Sequence, residues 1–414
     1  MSESKGAHIA ATIILHTISS VTAFLPPATK RTTGLFTSDD YAQMRAFFDA
    51  RPELGPTPLR DLPALARELG IGRLLVKDES SRFGLNAFKL LGARFAVETL
   101  LAEGYVRPGA TLVCASEGNH GRAVARAARD AGCGARVYMA HDASRARVDA
   151  IAGEGAAVIK VDGSYDDAVR VMQAEATTNG WTIISDTAWP GYERIPRLIM
   201  LGYTHMLDEI AQLLALSDGR GSASSGVEWD AIFVQGGVGG LLCAMASWCA
   251  FHRPSTSLGA TLSLSKGRRE NPPRVIAVEP TSAACLQASA RAGKPVAVTG
   301  PLTTTMAGLR NREVSPPAFD ALLPIVDAFL AIDDVWSDAA MRALGRPVGT
   351  DPAISAGASG AAALGGLLAL MREESLADAR ARLGLASESR VLVIVSEGVT
   401  DPAAWTRAVA GPLP

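Results

Sequence analysis

The sequence predicts an α/β chain built on two open, twisted parallel sheets with flanking helices. Three observations carry this reading. Segments of strand length alternate with segments of helix length through the first half of the chain, as βαβ crossovers require. A strand of the buried type, Ala231 to Gln235, runs directly into Gly236-Gly237-Val238-Gly239-Gly240 and then a helix. The composition, 48% apolar and 20% charged over 414 residues, suits two packed domains of an Ala/Gly-rich soluble enzyme.

Taken in order, Asp39 to Phe48 reads as a helix capped by Ser38 or Asp39. Gly55-Pro56-Thr57-Pro58-Leu59 is stiff and extended, because proline fixes its own φ and biases its predecessor. A short helix from Asp61 to Leu69 stops at Gly70, and Arg73 to Val76 is a short strand. The segment Lys77 to Lys89 then leads into a helix through Leu101. Strands follow at Thr111–Ala115, Ala135–Ala140, Ala157–Val161 and Thr182–Ser185. Between them lie helices at His120–Ala131, Ala143–Ala152 and Asp166–Thr177. One longer helix is expected over Ile199–Leu216, then the glycine loop and a helix through Phe251. Val275–Glu279 and Val391–Val395 are further strands, and Ala339–Leu344 and Gly360–Met371 are helices. The domain reading is an N-terminal extension over 1–30, a large domain from 31–104 and 207–414, and a small domain over 105–206. The Ser-rich, basic stretch 255–273 reads as a surface insertion.

Charge and cysteine content narrow the function classes. Forty Lys and Arg against 42 Asp and Glu leave a formal charge of −2, so no nucleic-acid or anionic-membrane partner is indicated. Five cysteines without a CxxC pair, and no His at ligand spacing, predict reduced buried thiols, no metal site and a cytoplasmic setting. Ile9 to Leu25 is apolar but is interrupted by His16, Ser19 and Ser20 and followed by Pro26-Pro27, which suits neither an export signal nor a membrane span.

In open parallel sheets, ligands bind beyond the carboxyl ends of the strands. Those ends carry Ser116-Glu117-Gly118-Asn119-His120-Gly121, the Gly236–Gly240 loop, and Ser396-Glu397-Gly398. The glycine loop suits a phosphate, since successive N–H groups can converge on one anion ahead of a helix N-terminus. A dinucleotide fingerprint fails: counted from Gly237, its third glycine would fall on Leu242. Lys89 opens a helix after Asn86-Ala87-Phe88, and a lysine desolvated near a phosphate site can form a Schiff base with a carbonyl cofactor.

Together these stretches resemble the fold-type II pyridoxal-phosphate enzymes, relatives of the serine and threonine dehydratases and the tryptophan synthase β chain. Among them they look most like the 2,3-diaminopropionate ammonia-lyases. The resemblance runs from about Pro56 to Asp401. It rests on Lys77-Asp78-Glu79-Ser80, Arg82 through Lys89, Gly118 through Arg122, and Asp186-Thr187-Ala188-Trp189. Met306-Ala307-Gly308-Leu309, Ser359-Gly360-Ala361, Glu397-Gly398 and Thr400-Asp401 extend it. It implies that Lys89 carries pyridoxal 5'-phosphate covalently and that Asn119 binds the ring hydroxyl. Gly236, Gly237, Val238, Gly239 and Gly240 would hold the phosphate, and Ser396 would face the pyridine nitrogen. Ser116, Glu117, Gly118, Asn119 and His120 would surround the substrate carboxylate. The implied reaction is α,β-elimination of 2,3-diaminopropionate to pyruvate and ammonia. Lys89, Glu117 and Asp186 would be the proton-handling groups, in a homodimeric enzyme of amino-acid catabolism.

Two departures bear on the substrate. Glu117 stands where an Asp is expected, and Ala358 where a Glu is expected before Ser359-Gly360-Ala361. Plainer readings compete at single residues. Glu117 could pair with Arg122, Asp186 could cap a turn, His120 could be a packing residue, and Trp189 a pocket wall. Asp78 and Glu79 could partner Arg82 or Arg94. The competing functions are a serine/threonine dehydratase or another β-eliminating or β-replacing enzyme on the same cofactor, and a non-catalytic pyridoxal-phosphate-binding protein.

Overall fold

The structure is a computed structural model that describes residues 20–27, 34–116, 118–217, 229–252 and 273–411. Eleven strands form two sheets. They are β1 (Val21–Phe24), β2 (Leu59–Asp61), β3 (Arg73–Asp78), β4 (Thr111–Ala115), β5 (Gly134–Ala140) and β6 (Ala157–Val161), followed by β7 (Thr182–Ile183), β8 (Ala231–Gln235), β9 (Arg274–Pro280), β10 (Ala328–Ile332) and β11 (Arg390–Val395). The larger sheet has the order β1-β10-β9-β8-β11-β3-β2, and the smaller one β6-β5-β4-β7. All pairings are parallel except at the two edges of the larger sheet, where β1 and β2 run antiparallel.

The core lies in three layers set by these sheets. One cluster fills the outer face of the larger sheet, with Phe233, Ile276, Leu330 and Val393 against the helix Ala358–Arg372. The central cluster joins Ile232 and Val234 of the large sheet to Leu112 and Val137 of the small one, through the helices Leu90–Ala102, Asn119–Asp130, Arg194–Tyr203 and Gly240–Phe251. A third covers the outer face of the small sheet. Strands such as β8 and β10 are buried throughout, as parallel strands covered on both faces must be.

Several expectations are corrected. Part of the 1–30 extension is a strand, because Val21–Phe24 pairs in register with Ile332–Phe329 and completes the sheet edge. The first helix, Ser38–Asp49, is capped by Thr37, which forms a reciprocal capping box with Asp40. The long helix over 199–216 is two helices, Arg194–Tyr203 and His205–Ser217. They part at Thr204, whose hydroxyl and amide both turn back to the Leu201 carbonyl, at 2.6 and 3.0 Å. The 255–273 insertion lies outside the described residues apart from Pro273, as do Met1 to Ser19 of the N-terminal extension.

Candidate active site

Lys89 is placed by the segment that leaves β3. Glu79 N–H donates to the Val395 carbonyl at 3.0 Å, so the segment starts beside the end of β11. Phe83 and Asn86 take φ of 53° and 57°, the two non-glycine residues with positive φ among the described residues. Such conformations cost about 1–3 kcal/mol each and persist where the surroundings over-determine them. Here the surroundings are the β11 loop. Gly398 N–H donates to the Asn86 carbonyl at 2.8 Å, Ala87 bridges Glu397, and Phe88 N–H donates to the Ser396 carbonyl at 3.3 Å. The chain is thereby turned so that Lys89 immediately precedes the helix Leu90–Ala102.

The Lys89 ammonium donates to Asp186 Oδ2 at 2.7 Å and lies 5.1 and 5.7 Å from the ring centroids of Phe88 and Tyr203. Asp186 is the acid at the end of the small sheet. Burial alone would raise its carboxyl. The neighbouring His120 and Lys89 outweigh that and hold it well below the usual carboxylate range. His120 Nε2 donates to the Ile184 carbonyl at 2.9 Å, and its Nδ1 sits 3.6 Å from Asp186 Oδ2. Burial pushes the imidazole below its ordinary value despite Asp186, so near pH 7 the ring is neutral.

The glycine loop opens next to this acid. A Cβ on Gly240 would lie 3.9 Å from the Asp186 carbonyl oxygen. Gly237 and Gly239 have φ of +58° and +100°, which only glycine adopts without strain. The amides of Gly236 and Gly239 are already used, on Val278 and Gly236 carbonyls at 2.8 and 3.1 Å. That corrects the expectation that all five loop residues donate to a phosphate. Among the described residues, the N–H groups of Gly237, Val238 and Gly240 have no hydrogen-bond partner, and the helix Gly240–Phe251 has no side-chain cap. The loop is a cradle with free donors at a helix N-terminus, which fits a phosphate.

The third strand end belongs to β4. Ser116 Oγ accepts from Gly118 and Gly121 N–H at 3.3 and 2.9 Å, so its hydroxyl shapes the loop. Among the described residues, the Asn119 and His120 N–H groups have no hydrogen-bond partner at the start of the helix Asn119–Asp130. Asn119 Nδ2 reaches across to Glu397 Oε2 at 2.5 Å. Ser396 is buried at the end of β11. Glu117 lies outside the described residues. Arg122, its alternative partner, binds Glu154 at 3.2 Å and the Leu85 carbonyl at 2.9 Å.

The matches to known proteins agree with this geometry. The family model described as pyridoxal-phosphate dependent enzyme matches residues 50–397. The diaminopropionate ammonia-lyase of Escherichia coli K12 is 35% identical over 385 residues, 89% of this chain and 91% of that protein. The chain belongs to the diaminopropionate ammonia-lyase family. The Salmonella typhimurium member is also 35% identical, over 87% of this chain and 89% of that protein. The Escherichia coli lyase, solved in complex with an aminoacrylate-PLP azomethine reaction intermediate, superposes with a TM-score of 0.81. That match has 32% identity and covers 95% of this chain and 97% of that one.

The family's strand ends thus bring Lys89, Asp186, His120, Asn119, the glycine cradle and Ser396 into one region. Some contributors went unread in the sequence. Phe88 and Tyr203 wall the lysine, and Tyr203 is set apart only by tertiary packing of a helix far along the chain. Glu397 sits in a motif that was read as a strand end and as part of the family resemblance, without a role of its own. Asn311 Nδ2 comes within 3.1 Å of where a Gly237 Cβ would be, and no spacing rule signals that approach. Glu79 pairs with Arg82, as its plainer reading had it, whereas Asp78 lies 3.8 Å from Arg60.

Proposed function

We propose that this chain is a pyridoxal-phosphate-dependent ammonia-lyase that converts 2,3-diaminopropionate to pyruvate and ammonia. The observation that carries the reading is the Lys89–Asp186 pair, 2.7 Å apart and next to an uncapped glycine cradle. Bound pyridoxal phosphate supplies an electron sink for negative charge developing at the substrate Cα. The N–H groups of Gly237, Val238 and Gly240 would bind its phosphate, Asn119 its ring hydroxyl, and Ser396, as a neutral partner, its pyridine nitrogen. The free Asn119 and His120 N–H groups suit a substrate carboxylate, with Ser116 and Gly118 shaping that loop.

Lys89 Nζ would carry the cofactor and then take the Cα proton from one face of the substrate. Glu117 would take it from the other face. Asp186, kept ionised, is suited to hold the substrate's β-ammonium in its protonated form, from which the nitrogen leaves as neutral ammonia. His120 is held in place by its Ile184 contact and packs its ring against Asp186. We read the enzyme as a cytoplasmic homodimer in keeping with the family resemblance.

The test is direct. Protein loaded with pyridoxal phosphate is reduced with borohydride and mapped by mass spectrometry, and pyruvate release is followed with D- and L-2,3-diaminopropionate, serine and threonine. A pyridoxyl group on Lys89 and preference for either diaminopropionate isomer are expected. A label on another lysine, or faster turnover of serine or threonine, overturns the reading.

A further inference from the structure

Glu397 has no part in the chemistry derived so far, yet it is the buried carboxyl nearest the groups that would meet the cofactor ring. It is 7% exposed. Its Oε2 accepts from Asn119 Nδ2 at 2.5 Å. Its Oε1 lies 3.4 Å from where a Cβ on Gly357 would be, at the start of the helix Ala358–Arg372. Ser359, in the first turn of that helix, accepts from Gly308 N–H at 2.9 Å, and a Cβ on Gly308 would be 3.9 Å from Glu397 Oε2. Four segments therefore meet on one carboxyl: the β4 loop, the 307–309 turn, the start of the Ala358 helix and the loop after β11. Burial pushes this carboxyl above its ordinary value, and the side chains of Ser359 and Asn119 and the charge of Lys89 pull against that.

An asparagine amide has a donor end and an acceptor end of nearly the same shape. In a buried site, the direction it faces is decided by its neighbours. A carboxylate only accepts, so an ionised Glu397 admits only the Nδ2 end of Asn119. One Nδ2 proton is spent on Glu397, and the other remains for a second acceptor. A ring oxygen facing that proton is stabilised as the phenolate rather than the phenol. We propose that Glu397 is a positioning residue that fixes the Asn119 amide with its donor end toward the cofactor ring, and so sets the protonation of the ring oxygen. This rests on the reading that Asn119 binds the ring hydroxyl of pyridoxal phosphate.

The experiment compares wild type, Glu397→Gln, Glu397→Met, Asn119→Ala and the Asn119→Ala/Glu397→Met double variant. Each is titrated with pyridoxal phosphate. The ratio of the long- to short-wavelength visible bands, the cofactor dissociation constant and the melting temperature of the cofactor-free protein are recorded. Glutamine keeps an acceptor oxygen for Nδ2 and should retain most of the wild-type band ratio. Methionine, of similar volume, keeps none. It should shift the ratio toward the short-wavelength band and weaken cofactor binding roughly tenfold, as expected for losing one net hydrogen bond. In the Asn119→Ala background, Glu397→Met should change neither quantity further. If wild type itself develops no visible band, the cofactor reading fails. If it does, and Glu397→Met leaves the ratio unchanged, or acts equally with and without Asn119, the positioning role is overturned. A fall in cofactor-free melting temperature with an unchanged band ratio also overturns it, because the contact is then only structural. Should Glu397→Met not fold, Glu397→Ala takes its place: a band ratio equal to that of wild type is the overturning result.

Discussion

Asp186 is half-buried, with the Lys89 Nζ 2.7 Å and the His120 Nδ1 3.6 Å from its Oδ2, and its carboxyl is held well below the usual carboxylate range. Asp186→Asn removes the acid while keeping the shape. If the acid handles the β-ammonium, pyruvate release from both isomers of 2,3-diaminopropionate should fall about 10²–10⁴-fold, the usual cost of losing a general acid or base. The same variant reports on stability. Because the folded carboxyl titrates below its ordinary value of 3.8, its contribution is full above that value and is lost as pH falls. Wild-type melting temperature should therefore drop more steeply than that of Asp186→Asn between about pH 5 and pH 3. Parallel melting curves would remove the ion pair as a source of stability. Glu117 gives the sharper stereochemical prediction. Two faces of one carbon need two bases, and Lys89 serves only one. Glu117→Gln should lower turnover of the D-isomer about 10²–10⁴-fold and spare much of the L-isomer rate. Equal small losses on both isomers would mean that this longer acid does no proton transfer.

At the scale of elements, the sequence was most legible where one rule acted alone. β4, β6 and β8 were read to the residue, because apolar runs of strand length lie between clear turn signals. β10 was not read at all. Ala328–Ile332 is five apolar residues with no alternation, which periodicity cannot separate from buried helix. β1 was taken for a loose tail because its partner lies about 310 positions away, beyond any local signal. Within the site, Lys89, Asn119 and the glycine loop were legible from motifs, whereas Glu397 and Tyr203 matter only through contacts between distant segments. Glu279 is of the same kind. It lies one residue before the end of β9, beneath the glycine loop, and accepts from Leu286 and Gln287 N–H at 2.8 Å each, capping the helix Cys285–Ala292. Burial pushes its carboxyl up to about 8, although both N–H donors pull it down. A folded value above the ordinary 4.5 means that its proton is held in the fold and released on unfolding. Stability from this group is thus present at low pH and lost as pH rises through about 8. Glu279→Gln cannot ionise, so its melting temperature should gain on wild type as pH rises from about 5 to about 8. A constant difference across that window would show that the carboxyl is ionised throughout.

Across the whole molecule, the two sheets are joined by the central apolar cluster and by charges buried inside it. Lys77, Glu79, Arg82 and Glu209 are each 2% exposed or less, and Arg82 touches both acids. Lys77 donates to Glu209 at 2.5 Å and to the Thr57 carbonyl at 2.9 Å. Two cations and two anions balance, so the network as a whole buries no net charge. It ties β3 and the turn leading to Lys89 to the helix His205–Ser217. A balanced buried network is sensitive to losing one member and tolerant of losing a pair, because desolvation is costly for the charge left behind. Arg82→Met should therefore destabilise by about 3–5 kcal/mol, leaving two carboxylates facing one lysine. The turn before Lys89 would loosen with it, so cofactor retention should fall alongside melting temperature. Adding Glu79→Gln to Arg82→Met restores neutrality around the Lys77–Glu209 pair and should recover part of both losses, a coupling of about 0.5–3 kcal/mol in a double-mutant cycle. Thermal melts and cofactor content of the single and double variants measure this coupling. If the double variant is as unstable as the sum of the two single variants, the four residues act as separate contacts, and the turn is held by its hydrogen bonds to the β11 loop.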